Sequence, residues 1–219
     1  MPLHRERVIE PEMLDHAPPD VARASLRDLA RVNRYLGGYY VLGRLFDAVA
    51  KTTDNFSVLD IGAASGDMGA AIRRRYPRAQ VTSLDYQREH LAQAAAPKLV
   101  ADAFHLPFRP GSFDFVFSSL FVHHFTNDQI VDLFRSFRCL ARRAVLAIDL
   151  ERGPLAYHFL PNTRWLFGWH DITISDGQIS VAAALKKDEM LALAVRAGFA
   201  NARVRVHRPW SRLSLLAPV

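Results

Sequence analysis

Three aspartates in this 219-residue chain stand where they could bind the polar groups of a nucleoside. Asp60, Asp85 and Asp102 each end or follow a short apolar run of the kind that forms a buried parallel strand. The carboxyl ends of such strands border the crevice in which open α/β sheets bind ligands. A carboxylate there can accept hydrogen bonds from an amino group, from ribose hydroxyls or from an adenine amine. One aspartate at a strand end could equally cap a helix, but three in succession favour a ligand site.

A glycine-rich turn follows the first of these strands. Residues 57–69 have the pattern of a strand, a tight turn and the start of a helix. Gly62 and Gly66 allow the backbone of this turn to approach a ligand closely. Tyr86, beside Asp85, could lie against an adenine ring. The segment therefore predicts a nucleotide-type cofactor site.

The elements that position these residues follow from hydrophobic periodicity and turn signals. Strands alternate with helices from residue 57 onward, as a doubly wound parallel sheet requires, and two C-terminal strands form an antiparallel pair. We predict a Rossmann-like α/β fold, a doubly wound sheet of about seven mostly parallel strands with a last antiparallel strand, plus an N-terminal helical lid. The predicted strands cover residues 57–61, 79–84, 99–101, 113–118, 144–148, 202–206 and 213–216.

Helices and domain limits complete this scheme. Helices are predicted over residues 20–36, 39–49, 67–75, 89–96, 128–140 and 187–197. Thr126 and Gln129 have the spacing of a capping box before the helix at 128–140. We expect residues 1–56 to form an arm and helical lid and residues 57–219 to form the cofactor-binding domain, within one compact domain overall. Residues 150–181 are predicted to be a loop-rich, aromatic insertion.

Composition restricts the classes of function. A net charge of +6 could attract nucleic acid, but the basic residues are scattered and solvated helix faces explain them better. No apolar run approaches the ~20 residues of a membrane span. Residues 1–7 lack an apolar signal core, and Cys139 is the single cysteine. A cytoplasmic protein without an internal disulfide is therefore expected.

Several segments resemble the class I S-adenosylmethionine-dependent methyltransferases, and in particular bacterial members that act on small molecules. The resemblance covers about residues 57–219. Residues 58–66, VLDIGAASG, match the glycine-rich first motif of that family, residues 101–103 resemble its adenine-contacting segment, and residues 113–119 resemble its fourth motif. The usual central glycine of the first motif is Ala64 here, a small substitution that should not block the turn. Residues 33–38, NRYLGG, also resemble a segment that precedes the sheet in bacterial members.

The resemblance implies a cofactor and its contacts. The cofactor would be S-adenosyl-L-methionine and the product S-adenosyl-L-homocysteine. Asp60 would serve the amino group of the methionine part, Asp85 would hold the ribose hydroxyls, and the end of the fourth strand would face the reactive methyl group. The expected cofactor-binding residues are Asp60, Gly62, Ala63, Gly66, Asp85, Tyr86, Asp102, Ala103 and Ser118. No metal ligand is expected.

A nicotinamide-dependent dehydrogenase would share the strand, the glycine turn and the acidic residue. Its G-x-G-x-x-G fingerprint needs glycine at positions 64 and 67, where this chain has Ala64 and Asp67. Asp67 at a helix start would also repel a pyrophosphate. S-adenosylmethionine carries a positive sulfonium and no phosphate, so an acidic rim suits it better.

The predicted acceptor is a small, aromatic or polyketide- or quinone-like molecule, methylated on oxygen or carbon. The aromatic residues of 157–170 could wall an apolar pocket for it, or could simply cover the core. A nucleic-acid methyltransferase is the first alternative, although residues 118–121 lack the Asn/Asp-Pro-Pro-aromatic element of base-amine enzymes and Cys139 has the pattern of a core residue. A cofactor-binding protein without transfer activity is the second.

A general base is needed if the acceptor must lose a proton, and histidine suits that task near neutral pH. His123 and His124 follow the fourth strand, and His170 adjoins Asp171, which could orient its ring. His124 and His170 are the predicted catalytic residues. A purely structural role is the alternative for each histidine.

Overall fold

The computed structural model describes residues 6–219, with the side chains of residues 15, 19 and 20 left aside, and its centre is a seven-stranded sheet. The strands are β1 (Ser57–Ile61), β2 (Gln80–Asp85), β3 (Lys98–Val100), β4 (Phe113–Ser119), β5 (Ala141–Leu150), β6 (Arg203–His207) and β7 (Arg212–Pro218). Their order in the sheet is β3-β2-β1-β4-β5-β7-β6. Among these described strands, β7 alone runs opposite to the other six. The predicted Rossmann-like sheet with a last antiparallel strand is confirmed.

Helices cover both faces of the sheet. They are α1 (Pro19–Tyr35), α2 (Gly38–Phe46), α3 (Asp67–Arg75), α4 (Asn127–Leu140), α5 (Pro154–Phe167), α6 (Asp171–Ala183) and α7 (Lys187–Arg196), with 3-10 turns at Met13–His16, His90–Gln93 and Val122–His124. The helix predicted at 89–96 is therefore only a short 3-10 turn. In the described part of the chain, no helix combines the length and the apolarity that crossing a membrane requires. The predicted absence of a signal core rests largely on residues 1–5, which lie outside the described residues.

The prediction of a loop-rich segment at 150–181 is wrong, because α5 and α6 occupy most of it. Two features of α5 hid it from the sequence pattern. Pro161 lies inside α5, where proline normally breaks a helix. None of the described residues of α5 is fully buried, so the helix lacks the one-sided apolar stripe that periodicity detects.

The sheet carries a separate apolar cluster on each face. One cluster joins Leu59 and Ile61 of β1 to residues of α4 and α7, and the other joins Val58 to residues of α2 and α3. Successive side chains of a strand point to opposite faces. Asp60 therefore points with Val58 toward α3, a direction that matters for the site.

The predicted lid is tied to the sheet by its second helix and by polar contacts. Val41, Leu42, Leu45 and Phe46 of α2 belong to the same cluster as Val58. Asn33 of α1 and Tyr39 of α2 both donate to Asp67 Oδ2 at the start of α3, over 3.0 and 3.1 Å. The division at residue 56 stays a prediction.

Cys139 is exposed, so the prediction that it belongs to the core is wrong. It lies two residues beyond the fully buried Phe137 on α4. A spacing of two residues in an α-helix is a rotation of about 200° around the axis, so the Cys139 thiol points to the solvent side.

The predicted capping box at the start of α4 is confirmed. The Gln129 amide donates to Thr126 Oγ1 over 3.3 Å, and the Thr126 amide donates to Gln129 Oε1 over 2.9 Å. We expect Thr126→Ala to lower the free energy of unfolding by about 1 kcal/mol, because the helix start loses its acceptor. Urea unfolding followed by circular dichroism measures this. Thr126→Ser retains the hydroxyl and should stay near wild type; equal midpoints for wild type and the alanine variant would contradict the assignment.

Candidate active site

A cavity of about 1100 Å³ lies at the carboxyl ends of β1, β2 and β4. Residues of the strand-end loops line one side of it, namely Gly62, Ala64, Asp85, Tyr86, Asp102 and Ala103. Apolar residues of the helices line the other side, among them Leu29, Val32, Leu36, Phe159, Leu160 and Val181. The lining thus combines polar strand-end residues with apolar residues of the helices.

The glycine-rich turn has the conformation that its sequence predicts. Gly62 has a φ of +69°, and a Cβ added there would lie 2.4 Å from Cδ2 of Phe121. Ala64 adopts a φ of +47° despite its side chain, and its amide donates to Asp85 Oδ2 over 2.8 Å. A hydrogen bond to a carboxylate offsets part of the cost of this left-handed conformation. The substitution of glycine by Ala64 thus leaves the turn intact.

Asp85 is fixed at the end of β2 by two backbone amides. Oδ2 accepts from Ala64, and Oδ1 accepts from Gln87 over 2.9 Å. The side chain is largely buried but lines the cavity. Each carboxylate oxygen has a second lone pair, so both can still accept a hydrogen bond from a ligand.

Asp102 and Tyr86 lie in a more open part of the wall. Asp102 accepts from the Phe104 amide over 2.9 Å and pairs with His105 Nδ1 over 2.9 Å. The Phe104 amide and the His105 ring together hold the pKa of the Asp102 carboxyl below its usual range. Tyr86 is 73% exposed, so one ring face is open for stacking.

Asp60 does not line the cavity. Its side chain is 1% exposed and points toward α3, where a Cβ on Gly69 would lie 3.3 Å from its Oδ2. Burial, with the nearby charge of Asp67, raises the pKa of Asp60 well above its usual value. Asp60 therefore lies outside the cavity wall, because strand alternation directs its side chain toward α3, and its contact with the amino group of the cofactor stays a prediction.

Four other predicted site residues also lie outside the cavity wall: Ala63, Gly66, Ser118 and His170. Ala63 and Gly66 shape the turn, since the Gly66 amide donates to the Ala63 carbonyl over 2.7 Å. Ser118 is buried, whereas its neighbour Ser119 lines the cavity. The Oγ atom of Ser119 has no hydrogen-bond partner among the described residues.

His170 has a structural role. Its Nδ1 accepts from the Ile172 amide over 3.3 Å and caps α6. The prediction that Asp171 orients the ring is wrong, because Asp171 pairs with Arg164 over 2.7 Å. Of the two predicted catalytic histidines, only His124 lines the cavity.

A chain of charges, formed by Asp149, His123, Glu12 and His124, lies at the cavity. Asp149 and Glu12 were not among the predicted site residues. His123 Nδ1 lies 2.6 Å from Asp149 Oδ1, and its Nε2 lies 3.4 Å from Glu12 Oε1. His124 stacks on His123 with ring centroids 4.3 Å apart, and its Nε2 is 3.9 Å from the same Glu12 oxygen. Asp149 followed the strand-end pattern, but no local signal pointed to Glu12, which is 111 positions away.

The chain of charges determines the protonation of His123. Burial alone would lower the pKa of this ring, but the charges of Asp149 and Glu12 and their hydrogen bonds outweigh burial and raise it to about 10. His123 is therefore a cation near neutral pH and cannot act as a general base. Donor atoms of Glu12, His123 and His124 lie within 4.8 Å of one another, as in a site that could hold a metal ion, yet the ion pairs already satisfy them.

The raised pKa of His123 gives stability a defined pH dependence. Its contribution is fully present below the unfolded value of about 6.5 and is lost as the pH rises through about 10. We expect the stability difference between wild type and His123→Gln to shrink steadily over that interval. Urea unfolding of both proteins at a series of pH values measures this difference. The contributions of other titrating groups cancel, because the two proteins share them. A constant difference would show that His123 is not held as a cation.

Comparisons with known proteins agree with this geometry. A family model described as a methyltransferase domain matches residues 58–144. A malonyl-[acyl-carrier protein] O-methyltransferase of Geobacter sulfurreducens is 31% identical over an alignment of 187 residues, and the match covers 75% of this chain. The chain spans 62% of the length of that relative.

Solved structures show the same fold at low identity. The plantazolicin methyltransferase in complex with SAH and a pentazolic analog superposes with a TM-score of 0.69 at 14% identity, over 94% of this chain and 93% of that one. A SAM-dependent methyltransferase from Aquifex aeolicus superposes with a TM-score of 0.63 at 14% identity, over 93% and 99% of the two chains. Residues 58–144 thus match a methyltransferase domain, and the chain has the fold of these solved methyltransferases.

Proposed function

We propose that this protein transfers the methyl group of S-adenosylmethionine to oxygen or carbon of a small, aromatic or polyketide- or quinone-like acceptor. The observation that carries the proposal is the composite cavity. Its strand-end residues offer carboxylates and a tight turn to a nucleoside, and its helices contribute apolar lining residues that an acceptor can contact. A volume of about 1100 Å³ is at the upper end of small-molecule sites, which suits two ligands side by side.

The residues present fit this cofactor. Gly62 lines the cavity and has no side chain that could project from the turn, and the Ser119 hydroxyl offers a buried polar group without a partner among the described residues. Asp85 would hold the ribose hydroxyls, Asp102 the adenine amine, and Tyr86 the adenine face. The acidic lining also suits a positive sulfonium. When bound, the cofactor supplies an electrophilic methyl group on that sulfur.

The contribution of the chain itself is positioning and proton control. Holding an acceptor aligned and excluding water can supply up to ~7–11 kcal/mol of barrier reduction. His124 lines the cavity beside Glu12, so its ring can take a proton from an acceptor hydroxyl. His123 is stacked on it and is itself held by Asp149 and Glu12, so it can fix the orientation of the His124 ring.

The lining supports an acceptor with an apolar body. Phe159 and Leu160 of α5 contribute directly to the wall, which favours the pocket interpretation of the aromatic insertion over a plain cover. The names of the two relatives, a malonyl-[acyl-carrier protein] O-methyltransferase and a plantazolicin methyltransferase, also support an acceptor other than nucleic acid. A nucleic-acid acceptor is less well supported, because Arg212 is the only arginine or lysine among the described lining residues and nucleic-acid grooves are strongly basic.

Asp85→Asn tests the cofactor site. The amide keeps the shape of the side chain but removes the charged acceptor for the ribose. We expect about tenfold or greater weakening of S-adenosylhomocysteine binding in calorimetry. Asp132→Asn on the exposed side of α4 is the matched control and should bind as wild type. Unchanged affinity in Asp85→Asn, or wild-type binding of NAD alone, would argue against the proposed site.

His124→Ala tests the base. Turnover should fall by about 10²–10⁴-fold with phenolic, quinone-type or polyketide-type acceptors, while affinity for S-adenosylhomocysteine stays the same. The exposed His158→Ala is the control, and His170→Ala should also retain turnover because that ring lies outside the cavity wall. Wild-type turnover in His124→Ala would remove the base from the mechanism.

The acceptor panel also separates the alternatives. Cofactor binding without release of S-adenosylhomocysteine with any acceptor would indicate a binding protein. Inhibition of turnover by RNA would instead favour a nucleic-acid acceptor.

A further inference from the structure

Arg212 is a buried cation in the wall of the cavity. It is the first residue of β7, paired with Leu150 of β5 and His207 of β6. Its side chain is 1% exposed and is the largest of the fully buried side chains. The residue is nevertheless among those that line the cavity.

Two of its three nitrogens hold the guanidinium in place. Nε donates to the Leu36 carbonyl and Nη2 donates to Asn33 Oδ1, each over 3.2 Å. Among the described residues, Nη1 has no hydrogen-bond partner and the side chain has no carboxylate within ion-pair distance. The planar fork is thus oriented by neutral groups and presents one unused edge.

This arrangement is costly for a structural residue. Burial lowers the pKa of Arg212 to about 10, partly offset by the more distant charges of Asp149 and Asp67, so the group is still a cation at neutral pH. Buried charges in proteins are normally paired, because the loss of hydration is otherwise uncompensated. Tethering α1 through a carbonyl and an amide would not need a charge. A ligand anion would supply the missing partner.

The charge of the wall makes Arg212 distinctive. Glu10, Glu12, Asp85, Asp102 and Asp176 all line the cavity, whereas Arg212 is the single arginine or lysine among its described lining residues. His123, the other cation of the wall, is already paired with Asp149 and Glu12, so an anionic group of a ligand has its favourable location at Arg212.

We propose that Arg212 is a carboxylate-binding residue of the cavity, with Nη1 as the donor to a ligand carboxylate. The identity of that ligand rests on the proposed function. Two carboxylates come into question, that of the methionine part of the cofactor and that of an acidic acceptor. The link from Arg212 through Asn33 to Asp67 leads to the start of α3, directly after Gly66. This position at the glycine turn favours the cofactor carboxylate.

Calorimetry on Arg212→Gln and Arg212→Lys distinguishes these sources. The probes are S-adenosylhomocysteine, 5′-methylthioadenosine, which has the same nucleoside without the amino-acid part, and malonate added to ligand-free protein. For the cofactor carboxylate, Arg212→Gln should weaken S-adenosylhomocysteine about 10- to 100-fold and leave methylthioadenosine unchanged. Arg212→Lys should recover part of the loss. Arg135→Gln, on the exposed side of α4, is the matched control.

The other outcomes are equally decisive. Loss of malonate binding with unchanged S-adenosylhomocysteine binding would support Arg212 and assign it to the acceptor. Equal weakening of both nucleosides, or no change with any probe, would overturn the proposal. If wild type bound malonate through Arg212 but neither nucleoside, the cofactor assignment would fail and the carboxylate site would remain.

Discussion

The site depends on the point at which the strand order of the sheet reverses, between β1 and β4. β1 pairs with β2 on one side and with β4 on the other, so successive connections pass to opposite faces and diverge at the carboxyl end of β1. An open α/β sheet has its crevice at such a point. The glycine turn, Asp85 and the 3-10 turn that carries the two histidines all follow strands that end there. Strand order, more than any single residue, brings distant parts of the sequence to one cavity.

Ion pairs and hydrogen bonds, and not apolar burial, hold the N-terminal arm, which is the described segment before α1, against the residues of that crevice. Glu12 accepts from Ser180 and lies beside His123, while Arg7 donates to the carbonyls of His123 and Phe125, both over 2.9 Å. The arm thus contacts His123 twice, at its ring through Glu12 and at its backbone carbonyl through Arg7. Because the ion pairs lie at the cavity wall, the charge state of the wall and the position of the arm are coupled.

Local patterns predicted the sheet well because each local preference agreed with the final fold. Ser57–Ile61 and Asp67–Arg75 have the bounds that the strand and helix signals gave, and the capping box at Thr126 formed as expected. The errors had physical causes. Pro161 concealed α5, and the exposed position of Cys139 depends on which side of α4 meets the core.

The site was harder to predict because direction and distance are tertiary properties. Asp60 and Asp85 share a pattern, but one points toward α3 and the other toward the cavity. Arg212 and Glu12 lie near the two ends of the sequence and have no motif. Strand pairing brings Arg212 to the site and the course of the arm brings Glu12. Neither feature produces a pattern in the neighbouring sequence.

The absence of any fully buried residue in α5 has a consequence for access. Leu155, Trp165 and Leu166 are at least 60% exposed, so moving this helix away from the cavity removes little apolar surface from contact. Segments with few buried apolar contacts open locally at lower free energy than the core. Access to the cavity and stability of the sheet are therefore separable properties, and sequence change in α5 can alter what enters without weakening the fold.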